Sequence, residues 1–144
     1  MAIVIGVVLS AVVACWARFV KFDRDRAFYP TIVVVVASYY VLFATMSGSP
    51  QTVLAESAGL TLFMIAAVVG FRSSPWVVVA ALAGHGIFDT FHGHVVHNTG
   101  MPEWWPAFCA SYDLAAAGWL ALILRHASMK RLKPPATAHE LVSD

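Results

Sequence analysis

Five apolar stretches of membrane-spanning length alternate with short polar or turn-forming connections along the 144-residue chain. They run at about 2–20, 30–46, 51–71, 75–97 and 106–125, close to the roughly 17–25 residues that carry an α-helix across a bilayer. Lys21 to Arg26, Ser47-Gly48-Ser49-Pro50, Arg72-Ser73-Ser74-Pro75 and Gly100 to Pro106 separate them. Prolines near the starts of these stretches fit the first helical turn, where a missing N–H is harmless. The pattern predicts an all-α, polytopic membrane protein. Its single domain, 1–131, is a five-transmembrane-helix bundle, and 132–144, with Pro134-Pro135, is a flexible cytoplasmic tail. The first stretch lacks the basic lead of a secretory signal and reads as a retained span.

The basic residues orient the bundle. Arg18, Lys21, Arg24 and Arg26 surround the first connection, Arg72 lies in the third, and Arg125, Lys130, Arg131 and Lys133 follow the fifth stretch. The second and fourth connections carry none. Retention of basic residues inside places the N-terminus outside and the C-terminus in the cytoplasm, as expected for the plasma (inner) membrane. Trp104-Trp105 in the fourth connection reads as an outer interfacial belt.

Composition supports the membrane reading: 60% of residues are hydrophobic and 12% charged, against about a quarter charged in soluble domains. A net charge of +1 offers no basic face for nucleic acid. Two cysteines, Cys15 and Cys109, make no disulfide framework and read as small buried hydrophobes.

The polar residues inside the stretches stand out, because ionisable groups at membrane depth are costly. Residues 85–98 hold His85, Asp89, His92, His94 and His97. His85, Asp89 and His92, spaced i, i+4, i+7, share one narrow helix face, while His94 points nearly opposite His92. His97 falls one turn above His92, where it could line an entrance. Glu56 in the third stretch and Asp113 in the fifth reach a similar depth, roughly 8–12 Å below the outer ends. Gly84, Gly86 and Gly93 would admit close neighbours.

Imidazoles and carboxylates converging from facing helices suit Zn²⁺, or alternatively Fe or Mn. The expected ligands are His85, Asp89, His92, Glu56 and Asp113, with Glu56 and Asp113 also candidates for catalytic acid–base work. Cys109, one turn before Asp113, is a secondary soft-ligand candidate. The simplest chemistry is hydrolysis of a lipid or apolar small molecule by a metal-bound water. A metal-free core accounts for the same residues as a hydrogen-bonded network, or as an acid–base isomerase of a sterol- or isoprenoid-like substrate. A non-enzymatic metal-handling or accessory subunit is a third reading, and the Val- and Ala-rich faces offer surfaces for a homo-oligomer or larger membrane complex. No lysine lies within a stretch, which removes a retinal-type Schiff base, and no nucleophile elbow is present.

Overall fold

A computed structural model describes residues 1–132. The chain forms α1 (Ala2–Phe19), a 3-10 turn (Phe22–Arg24), α2 (Phe28–Ser47), α3 (Pro50–Arg72), α4 (Pro75–Val95) and α5 (Trp105–Leu132). No strand occurs among the described residues. Four helices are long and apolar enough to cross a membrane: α1, α2, α3 and α5 over Trp105–Met129. The exception, α4, has comparable length at 21 residues. Its apolarity is diluted by the polar side chains that it turns inward, His85, Asp89 and His92, all buried.

Local chemistry sets the helix ends. Ser49 Oγ accepts the Thr52 N–H at 3.3 Å at the start of α3, and Ser74 Oγ accepts the Trp76 N–H at 3.3 Å at the start of α4. Pro50 and Pro75 occupy the adjoining first helical positions, where their fixed φ favours helix entry. Gly48, at φ 71°, ends α2 in the left-handed conformation that glycine adopts without penalty.

Two contacts show which connections share an end of the bundle. Arg26 Nη2 donates to the Ser73 carbonyl at 3.2 Å, joining the first and third connections. At the opposite end, the fourth connection folds over the last turns of α2. There a side chain at Gly100 would run into the Phe43 carbonyl. The helices therefore alternate in direction, with α5 between α1 and α4, α4 against α3, and α3 against α2.

The interior divides into two layers. Toward the basic end lies an apolar core that includes Val33, Ala67, Leu82 and Leu120. Toward the Trp104–Trp105 end the buried positions include a polar group, Glu56, His85, Asp89, His92, Asn98 and Asp113, set among Tyr40, Ala44, Cys109 and Ala110. Large apolar side chains such as Leu54, Leu62, Ile65, Ile87, Phe91 and Leu122 face outward. That arrangement suits hydrocarbon surroundings, in which the backbone must satisfy its own hydrogen bonds within helices.

Two boundaries differ from the sequence pattern. Helix α4 stops at Val95, because Val96 turns extended at φ −129°, ψ 123°; His97 therefore leaves the helical face rather than stacking above His92. Helix α5 runs past Arg125 to Leu132, since no glycine or proline interrupts the chain before Pro134. Residue 132 thus belongs to α5, while the rest of the expected tail, 133–144, lies outside the described residues. Of the flanking glycines, only Gly86 meets a neighbouring helix closely; Gly84 and Gly93 face open space. Cys15 is exposed, whereas Cys109 is buried.

Candidate metal centre

Four side chains from two helices converge in the polar layer. His85 and Asp89 come from successive turns of α4, and Cys109 and Asp113 from successive turns of α5. One ligand atom from each lies within 4.8 Å of every other. Gly86 makes this approach feasible: a Cβ there would sit 3.0 Å from the Ala110 carbonyl and 3.3 Å from Asp113 Cβ. Without side-chain bulk at that turn, α5 closes on α4 and Asp113 reaches His85.

The contacts are short and buried. His85 Nδ1 lies 2.7 Å from Asp113 Oδ2 and 3.5 Å from Asp89 Oδ2. Cys109 Sγ lies 3.8 Å from Asp113 Oδ2. Tyr40 of α2 donates its hydroxyl to Asp89 Oδ1 at 2.6 Å. All four cluster residues are at most 2% exposed. Phe63 of α3 meets the His85 ring edge-on at 4.6 Å, closing that side with an aromatic wall.

Charge and hydrogen bonding in this cluster remain unbalanced. Two carboxylates face one imidazole, so even a charged His85 offsets only one of them. Asp89 Oδ2 and Asp113 Oδ1 are buried without a hydrogen-bond partner among the described residues. Buried carboxylates in that position demand a proton or a cation. A divalent ion meets both needs at once. Tetrahedral coordination at about 2.0–2.3 Å sets donor atoms roughly 3.3–3.8 Å apart, so side-chain shifts of about 1 Å would close the set around an ion.

The other expected ligands form a separate neighbouring group. His92 Nε2 lies 2.9 Å from Glu56 Oε1 and 3.1 Å from Oε2. Asn98 Nδ2 donates to Glu56 Oε1 at 2.9 Å and to the Tyr40 carbonyl at 3.1 Å. Tyr40 joins the two groups: its ring stacks on His92 at 4.1 Å and 27°, while its hydroxyl holds Asp89. Thus His85, Asp89 and Asp113 meet in one cluster with Cys109, whereas Glu56 and His92 pair with each other. His94 and His97 are exposed and belong to neither group.

Sequence reasoning underweighted three residues. Cys109 carried a usable signal, since its spacing of four from Asp113 puts both on one helix face. Tyr40, one of two adjacent tyrosines in the second stretch, has no spacing that separates a role in hydrogen bonding from one in packing. Asn98 sits in a connection whose path over α2 no periodicity reveals. Comparison with protein-family models, curated proteins and solved structures finds no match to this chain.

Proposed function

We propose that this chain is a five-span integral membrane protein, with its N-terminus outside and C-terminus cytoplasmic. In this reading His85, Asp89, Cys109 and Asp113 hold a zinc ion for hydrolytic chemistry on a lipid or other apolar small molecule. One observation carries the metal assignment: two buried carboxylates with unpartnered oxygens meet an imidazole and a thiol within 4.8 Å. The thiol favours zinc over manganese, whose preferred donors are hard oxygens. Alternating helix direction and the basic residues at one end support the orientation.

A bound ion would supply Lewis-acid polarisation and lower the pKa of a coordinated water. The chain's own residues supply the rest. Tyr40 fixes the Asp89 carboxylate through Oδ1, leaving Oδ2 toward the centre. Asp113 presents Oδ2 to His85 and keeps Oδ1 available to accept a proton. Glu56, held by His92 and Asn98, places a third carboxylate in the same layer. The Phe63 ring and the outward apolar helix faces exclude bulk water, which strengthens these electrostatic interactions.

The test is consumption of a membrane-lipid extract by the purified protein in detergent, followed by mass spectrometry. Chelation should abolish turnover and added Zn²⁺ should restore it. Turnover that survives chelation but disappears in Asp89→Asn would favour a second reading, metal-free acid–base isomerisation. The short Tyr40–Asp89 and His85–Asp113 contacts, 2.6 and 2.7 Å, support that reading, because each pairs a carboxylate with a proton-carrying partner, and the two pairs lie side by side across the 3.5 Å His85–Asp89 approach. Absence of turnover in every extract, with metal bound, would overturn both enzymatic readings in favour of a metal-handling role.

A further inference from the structure

A cavity of about 1,010 Å³ runs between α1 and α2, with the first turns of α5 as its floor. Its origin lies in how α1 packs. The small residues Gly6, Ser10, Ala14 and Ala17 are buried, on the stripe that seats α1 against α5 around Phe108 and Ser111. With that stripe committed to α5, the bulky flank of α1 faces α2 across a gap. Ile5 and Leu9 form one wall, Ile32 and Val35 the other, and Phe108 and Cys109 lie at the floor.

We propose that this groove binds the long hydrocarbon chain of a membrane lipid, laid along the face of α5 behind which the polar cluster sits. Three features point to a chain rather than a compact molecule. The groove follows the helices, so in a bilayer it runs parallel to the acyl chains around it. From Ala27 to Tyr39 along α2, its lining covers 12 residue steps, roughly 18 Å at 1.5 Å per step, more than half of the ~30 Å hydrocarbon thickness. Asp25 is the only charged side chain of its lining among the described residues, and it lies in the connection before α2, beyond the end of the apolar walls.

Cys109 gives the groove its connection to the polar cluster. It is the only one of the four cluster residues in the groove lining; His85, Asp89 and Asp113 sit behind it. Cys109 lies four residues after Trp105, roughly 6 Å down the helix, while the groove continues past Tyr112 toward Phe28. A bound chain therefore extends on both sides of the Cys109 position, whose buried thiol turns away from it toward Asp113. The choice of substrate class rests on the metal-centre reading; occupancy of the groove does not.

Native mass spectrometry, with lipid extraction and zinc analysis, tests this on the parent, Leu9→Trp, Val35→Trp and Asp89→Asn proteins after extensive detergent washing. Leu9 and Val35 are 42% and 46% exposed, so an indole at either position enters the groove without entering the core. The parent should retain a long-chain lipid near one per protein. Both tryptophan variants should retain about tenfold less while keeping their metal, which also reports an intact fold. Asp89→Asn should keep the lipid and lose the metal. A parent that carries no lipid, equal lipid in both tryptophan variants, or a rigid polycyclic occupant would each overturn the proposal. Lipid in the expected pattern without metal in any protein would support the groove and sink the metal centre.

Discussion

Replacing Tyr40 with phenylalanine removes one atom from the polar layer and tests how the candidate centre is held. The hydroxyl donates to Asp89 Oδ1 at 2.6 Å, the one hydrogen bond the Asp89 carboxylate makes among the described residues, with His85 Nδ1 beside its other oxygen at 3.5 Å. Phenylalanine keeps the ring that stacks on His92 at 4.1 Å and the backbone carbonyl that accepts from Asn98. Neutral interhelical hydrogen bonds in membranes average only about 0.6 kcal/mol. A bond to a buried carboxylate is stronger, about 1.5–3 kcal/mol, and partners that orient a metal ligand typically govern affinity by about 10–100-fold. Tyr40→Phe should therefore weaken zinc binding by about 10–100-fold in a competition titration against a chromogenic chelator. Tyr39→Phe, on a half-exposed ring packed against Trp105, should leave the affinity unchanged. Equal affinity for Tyr40→Phe and parent, with binding abolished in Asp89→Asn, would refute the claim that the hydroxyl positions the carboxylate.

Glu56→Gln should lower thermal stability by about 1–3 kcal/mol, because His92 and Asn98 share its carboxylate as acceptor and an amide offers only one oxygen, yet leave zinc stoichiometry intact; loss of the metal would return Glu56 to the ligand set. His94→Ala and His97→Ala, at exposed positions outside both polar groups, should change stability by no more than about 0.5 kcal/mol and leave metal content alone. A drop in metal content in either variant would show that the site reaches beyond the four buried cluster residues. A reporter active only outside the cell should function when inserted at Gly48 or Thr99 and fail beside Ser73. The reverse pattern would invert the orientation.

The bundle was largely legible because its signals are local. Runs of apolar residues, serine–proline helix starts and charged connections each report on a few neighbouring positions. The all-helical fold and inward turn of the His85–Asp89–His92 face follow from spacing alone. How the polar residues divide between two groups was not legible, since it depends on contacts between helices. Glu56 and Asp113 reach the same depth, and depth cannot say which helix faces which. The structure separates them through packing order: α3 brings Glu56 to His92, whereas Gly86 lets α5 carry Asp113 and Cys109 against His85. The end of α4 was also hidden. Val95-Val96 continues the apolar pattern, and the chain turns away there to lay Asn98 over α2.

Elemental analysis of protein purified without added metal addresses the central claim most directly, with Asp89→Ala, Asp113→Ala and Cys109→Ser beside the parent. One zinc per parent chain, lost in both aspartate variants and weakened in Cys109→Ser while helical content is retained, is the expected result. A parent that binds no zinc, iron or manganese, even after reconstitution with each ion, would contradict the metal centre and leave the cluster as a hydrogen-bonded polar core.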